Sequence, residues 1–193
     1  MTMKACVVYH SGYGHTQKQA EAVFEGLQGV DGVDSELIPV EELVDENGPG
    51  WASLDAAHAI IMGCPTYMGS PSAGMKAFME ATSGRWMEGK WADKLAAGFT
   101  NSGSQNGDKQ NTLIDLATFA AQHGMVWINL NVPPGNNSSA GSVEDLNRLG
   151  ASLGAMAQSN VDEGSDVAPT RPDLETASHL GRRVGECVLR WCG

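Results

Sequence analysis

Near its start the chain reads Ala5-Cys6-Val7-Val8-Tyr9-His10-Ser11-Gly12-Tyr13-Gly14-His15-Thr16. A short, nearly continuous apolar run ends in a hydroxyl- and glycine-rich turn. The residues that follow place Ala20, Val23, Phe24 and Leu27 at i, i+3, i+4, i+7, as on one face of a helix. Strand, tight turn and helix in that order open a parallel α/β sheet. The turn itself suits an anion. Its two glycines let backbone come close to a ligand, Ser11 and Thr16 offer hydroxyls, and the first N–H groups of the helix have no partner inside it. No Lys or Arg stands in it, so a phosphate there is met by neutral donors and the helix dipole, which suits the terminal phosphate of a mononucleotide. The dinucleotide fingerprint fails at its third glycine, where Gln17 stands, and the chain has no Gly-Lys-Ser/Thr run. A solvent-exposed connection without a ligand has the same composition.

Outward from this unit the alternation continues. Apolar runs at Ala59–Gly63, Leu95–Thr100 and Met125–Leu130 read as strands covered on both faces, and Ser35–Val40, which contains Pro39, reads as an edge strand. Helical stripes follow at Met75, Phe78, Met79 and Thr82, at Leu113, Leu116, Ala117 and Ala120, and at Leu180, Val184, Cys187 and Val188. The expected fold is α/β, a flavodoxin-like doubly wound sandwich with a five-stranded parallel sheet in the order 2-1-3-4-5 and helices on both faces. In that order the winding reverses beside strand 1, and a crevice opens at the carboxyl ends of strands 1 and 3.

The unusual loops fall at those ends. After strand 3 comes Pro65-Thr66-Tyr67-Met68-Gly69, with a helix expected from about Ser72. After strand 4 comes Asn101-Ser102-Gly103-Ser104-Gln105-Asn106. Tyr67 and Met68 offer an apolar wall for an aromatic ring, and the amides and hydroxyls of the third loop offer partners for its polar edge. Each loop alone is ordinary turn chemistry; their coincidence at three strand ends is not. The segment from Asn131 to Ser165 reads as an excursion that interrupts strand 5, with Leu153–Ser159 returning to the sheet and the rest covering a ligand edge or a subunit contact.

Composition bounds the class. A chain of 193 residues with 41% hydrophobic and 18% charged content is expected to form one domain, 1–193. A formal net charge of -11 argues against nucleic acid and against anionic membrane surfaces as partners, and no apolar run reaches membrane-span length. Met1 leads directly into the first strand, so no targeting segment is expected and the cytoplasm is the expected compartment. Cys6, Cys64, Cys187 and Cys192 lack metal or redox spacing and read as reduced thiols. His10, His15, His58, His123 and His179 are scattered, so neither a metal site nor a catalytic nucleophile is expected.

The segments Ser11–Thr16, Pro65–Gly69, Ser83-Gly84-Arg85-Trp86, Gln122-His123-Gly124-Met125 and Pro172–Gly181 together resemble the WrbA-type NAD(P)H:quinone oxidoreductases of the flavodoxin superfamily, over nearly the whole chain. The resemblance implies FMN as cofactor, NAD(P)H as co-substrate, two-electron transfer to a quinone or similar acceptor, and a homodimer or homotetramer. It also implies that Ser11, Gly12, Tyr13, Gly14, His15 and Thr16 hold the FMN phosphate. Pro65 to Gly69 would line the flavin ring, Asn101 to Asn106 would border its edge, and Tyr13 and Trp86 would flank the substrate; Trp86 equally reads as a helix-end aromatic packed on the core. Three departures stand out: Gln122 replaces a family histidine, leaving His123 as a helix-terminal residue set by the dipole and the following glycine; the Glu46–Ala52 connection is much shorter than the family's insertion; and Gln105-Asn106-Gly107 replaces a glycine-rich run. A flavodoxin-like one-electron carrier is the alternative, and a flavin-free domain on the same fold a third reading.

Overall fold

The computed structural model describes residues 2–45 and 48–193, so Met1 and the first two residues of the short Glu46–Ala52 connection lie outside the described residues. Strand β1 (Met3–Tyr9) leads to helix α1 (His15–Gln28), then β2 (Val33–Pro39), a 3-10 turn (Val40–Leu43), α2 (Pro49–Ala56) and β3 (Ala59–Tyr67). A two-residue β4 (Ser70–Pro71), α3 (Ala73–Ala81) and the short α4 (Ser83–Met87) precede β5 (Leu95–Ser102) and α5 (Lys109–Gln122). Short strands β6 (Val126–Trp127) and β7 (Ala155–Gln158) and the long α6 (Arg171–Cys192) complete the order.

The long strands run parallel in the order β2-β1-β3-β5, and the next position is shared by β6 and β7. β6 pairs the first half of β5, with Leu95 opposite Val126, and β7 pairs the second half, with Phe99 opposite Ala155. The expected order 2-1-3-4-5 is therefore realised with its fifth strand split in two. Met125–Leu130 is cut to two strand residues because the chain departs after Trp127, whose indole N–H donates to Leu153 O (2.9 Å) and ties the departure to the return. Pro39 closes β2 at the sheet edge, where a missing donor costs no ladder bond.

One core lies under α1 and α6 and the other under α2, α3 and α5. The α6 stripe Leu180, Val184 and Val188 is fully buried, each side chain worth roughly 1.5–3 kcal/mol as an upper estimate. Gly26 and Gly181 bring α1 and α6 into backbone contact, since a Cβ on either would run into the facing helix at Ser178 O or Val23 O. Thr82, expected in the α3 stripe, instead sits past the helix end and donates to Met79 O (2.7 Å). Burial pushes the Cys6 and Cys64 thiols up to about 12, as for inert core residues. Among the described residues no helix is long and apolar enough to cross a membrane.

Candidate functional site

A cavity of about 690 Å³ opens at the carboxyl ends of β1, β3 and β5. Its first wall is the β1–α1 turn. Ser11 Oγ accepts the N–H groups of Gly14 and Gln17 (both 3.1 Å), and Gly14 adopts φ +87, a left-handed conformation that favours glycine. The first helical bond runs from Lys18 N to Gly14 O. Among the described residues the N–H groups of His15 and Thr16 have no protein acceptor, and the Thr16 hydroxyl has no partner although its residue is buried and lines the cavity. These are unsatisfied neutral donors at a helix N-terminus, the chemistry an anion completes.

The second wall comes from β3, which runs on through Pro65 to Tyr67 and turns back in a hairpin, Tyr67 opposite Ser70. Met68 (φ 49) and Gly69 (φ 79) form its two-residue turn, both left-handed as a type I′ hairpin requires. That geometry puts Met68 at the tip, fully exposed and off the cavity wall, while Pro65, Thr66 and Tyr67 line it. Tyr67 lies over Gly12, where a Cβ would strike its hydroxyl, and its ring meets Tyr13 edge-on at 6.4 Å. Burial raises the Tyr67 pKa, with the neighbouring Tyr13 adding to it, so the phenol stays neutral. Behind this wall Thr66 shares hydrogen bonds of 2.8 Å with Thr100 and Thr112, which lock β3 to β5 and α5.

The third wall is Asn101, Ser102 and Gly103. Ser104, Gln105 and Asn106 continue the loop beyond the wall and hold its shape: Ser104 O accepts Ser102 Oγ (3.0 Å) and Asn106 Oδ1 accepts Asp108 N (3.0 Å). A fourth side, Ser159, Val161, Glu163 and Gly164, belongs to the end of the 131–165 excursion. It is latched by Asn101 Nδ2 donating to Ser159 Oγ (2.8 Å) and by a 2.9 Å bond between His15 Nε2 and Glu163 O. The body of the excursion is pinned to α6 by Asn147, whose N–H donates to Thr176 Oγ1 (2.9 Å), and by the buried Arg148–Asp173 pair (2.7 Å).

The structure therefore brings Gly12, Tyr13, His15, Thr16, Pro65, Thr66, Tyr67, Asn101, Ser102 and Gly103 to one cavity. Ser11 and Gly14 stand behind it as turn braces, and Gly69 stays in the hairpin turn. Trp86 is not in it. It stands on α4, beyond the carboxyl end of α3, which runs away from the crevice; there it lines a separate groove with Met79, Phe119 and Gln122. His123 borders that groove too, so neither Gln122 nor His123 reaches the crevice of its own chain. The following Gly124 (φ 72) caps α5 as expected, but the dipole is not what holds His123. Its ring packs 4.8 Å from both Trp91 and Phe119, its Nε2 bonds Thr82 Oγ1 (2.9 Å), and burial lowers its pKa, favouring the neutral form. The 159–164 side lines the cavity, in line with the edge cover that was one of two roles expected for the 131–165 excursion, although its individual residues were not singled out; Lys109, behind the Ser102 wall, is what sequence reasoning missed. A lysine as first residue of a helix stands against the dipole, and that misplacement was the available signal.

The family described as NADPH-dependent FMN reductase matches residues 9–140. A flavodoxin of Pseudomonas aeruginosa is 45% identical over 94% of both chains, and an NAD(P)H dehydrogenase (quinone) of Geobacter sulfurreducens is 30% identical over 99% of this chain and all of its own length. Among solved structures, a WrbA-like flavodoxin from Agrobacterium tumefaciens superposes with a TM-score of 0.74 at 40% identity, covering 97% of this chain and 98% of its own.

Proposed function

Since the chain belongs to the NADPH-dependent FMN reductase family, as a WrbA-type member of the flavodoxin superfamily, we propose that it is a one-domain, FMN-dependent NAD(P)H:quinone oxidoreductase. The observation that carries this reading is the asymmetry of the crevice. Both rings, Tyr13 and Tyr67, stand on the walls from β1 and β3, whereas the wall from β5 is amide, hydroxyl and glycine. One-electron carriers of this fold commonly clamp the flavin between two aromatics, whereas a one-sided aromatic wall leaves a planar acceptor a face to stack on.

FMN, when bound, supplies the two-electron chemistry that links a reduced nicotinamide to a quinone. The residues do the rest by position. The Thr16 hydroxyl and the His15 and Thr16 N–H groups would bind the phosphate, Tyr67 would wall the ring, and Asn101 and Ser102 would meet its polar edge. The fit to a terminal phosphate rests on how the turn is closed: a Cβ at Gly14 would come within 2.9 Å of Ser165 Oγ, and Glu163 O holds His15. FAD, extended beyond that phosphate, should bind worse. The largely exposed Trp86 would reach a substrate only from a second copy of the chain, so a homodimer or homotetramer belongs with this reading.

The second reading is a one-electron carrier, and the observation favouring it is the 45% identity to a protein named a flavodoxin. Anaerobic mixing of the FMN-loaded protein with NADH or NADPH separates the two. Direct bleaching of the flavin absorbance within seconds is expected; a flavin reduced only when a separate reductase is added contradicts the proposal.

A further inference from the structure

Lys109 opens α5 and is fully buried. Its Nζ donates to Ser102 Oγ (2.8 Å), Ser104 O (2.8 Å) and Gln105 O (2.9 Å), so all of its protons end on the loop that leaves β5. Ser102 is itself part of the cavity wall, which puts the ammonium one hydrogen bond behind it. Gly107, with φ +56, wraps the loop tightly enough that a Cβ there would strike the Ser102 hydroxyl.

The charge has no ion-pair partner among its hydrogen bonds. Asp173 raises the Lys109 pKa through space, but its two oxygens are committed to Arg148 Nε (2.8 Å) and Nη2 (2.7 Å) and to Gln158 N (2.9 Å). Two cations and one carboxylate leave one positive charge uncompensated in the interior of an otherwise acidic protein. Burial lowers the Lys109 pKa to about 8, and its place at the helix N-terminus sets it against the dipole. A neutral amide side chain would donate to the same loop without either cost. What an amide cannot supply is positive potential at the wall of a crevice whose phosphate turn has no cation.

We propose that Lys109 is a positioning residue for the flavin: its ammonium shapes the Ser102–Gln105 wall from behind and stabilises the extra negative charge of the reduced cofactor. The inference rests on the reading of the crevice as the FMN site. It concerns this chain's own buried charge, independently of which acceptor the enzyme serves.

The test compares the FMN-loaded protein with K109M, K109Q and K109R by FMN titration, two-electron midpoint potential and apoprotein Tm. Loss of the charge is expected to weaken the reduced complex about tenfold more than the oxidised one, which lowers the potential by about 30 mV in K109M and K109Q. K109R is expected to restore it. The apoprotein Tm separates the electrostatic effect from loss of the loop's hydrogen bonds, all three of which K109M removes and part of which K109Q keeps. Should K109M fail to fold, K109Q, which keeps neutral donors, carries the same comparison. An unchanged potential in the neutral variants, or a K109R protein that binds FMN yet keeps their lowered potential, overturns the inference alone. No FMN binding by the unmodified protein overturns the crevice reading and this inference with it.

Discussion

The two loops that flank the crevice are built on opposite electrostatic plans. The turn from Ser11 to Thr16 holds itself with one hydroxyl accepting two backbone N–H groups, and it offers unpaired neutral donors at a helix end. The loop from Ser102 to Gly107 is wound around a buried ammonium that stands at the wrong end of its helix. Both follow a strand of the same sheet and open a helix of 14 residues. On the proposed reading, one fold position takes two solutions: a dipole and free amides would meet the ligand's own full charge, and a hidden cation would meet charge gained only on reduction.

The largest test of that contrast is Thr16→Ala. It removes a neutral donor to a dianion and should weaken FMN by about 1.5–3 kcal/mol in a titration of the apoprotein. An affinity equal to that of the unmodified protein would mean that the backbone and dipole suffice. Gly14→Ala probes the same turn through its backbone. Forcing φ +87 on a residue with a Cβ 2.9 Å from Ser165 Oγ should cost about 1–2 kcal/mol of apoprotein stability in denaturant unfolding. A cost near zero would show that the 159–165 segment yields rather than closes the turn.

Acid should act on the fold far from both loops. Burial lowers the His123 and His179 pKa values below their ordinary range, so the unfolded chain takes up protons first as pH falls. Their contribution is complete above the unfolded value of about 6.5 and is lost below it, on the order of 1 kcal/mol per pH unit and group. The apoprotein Tm should fall between pH 7 and 5.5, and less so in His123→Gln; an identical fall in the variant would remove His123 from the account. Salt should have the smallest effect. With no cation in the turn and a net charge of -11, raising NaCl from about 50 to about 500 mM should tighten FMN less than about threefold by screening repulsion. Marked weakening would reveal a cation at the phosphate.

What was legible in the sequence follows the same division. Strand positions, the split of strand 5 and the return near Leu153–Ser159 were readable because apolar period and turn residues are local. The donor-rich turn between β1 and α1 was readable because its residues are contiguous. Met68 was placed on the ring wall because sequence gives its type but not the left-handed turn that throws it outward. The excursion was expected over a ligand edge or a subunit contact, but which of its residues face the cavity stayed hidden because Val161 and Glu163 reach it only through long-range bonds, Asn101 to Ser159 and His15 to Glu163. Lys109 drew no reading from the sequence, because only packing shows that the loop folds over it. His123 was assigned to the dipole, yet the aromatic slot formed by Trp91 and Phe119 decides its charge.

The most direct measurement of the central claim pairs steady-state oxidation of NADH and NADPH by the FMN-loaded protein, with a quinone as acceptor, with a redox titration of the same sample. An FMN-dependent quinone oxidoreductase gives multiple turnovers and a single two-electron wave. Negligible nicotinamide oxidation together with two well-separated one-electron waves would contradict that claim and identify an electron carrier instead.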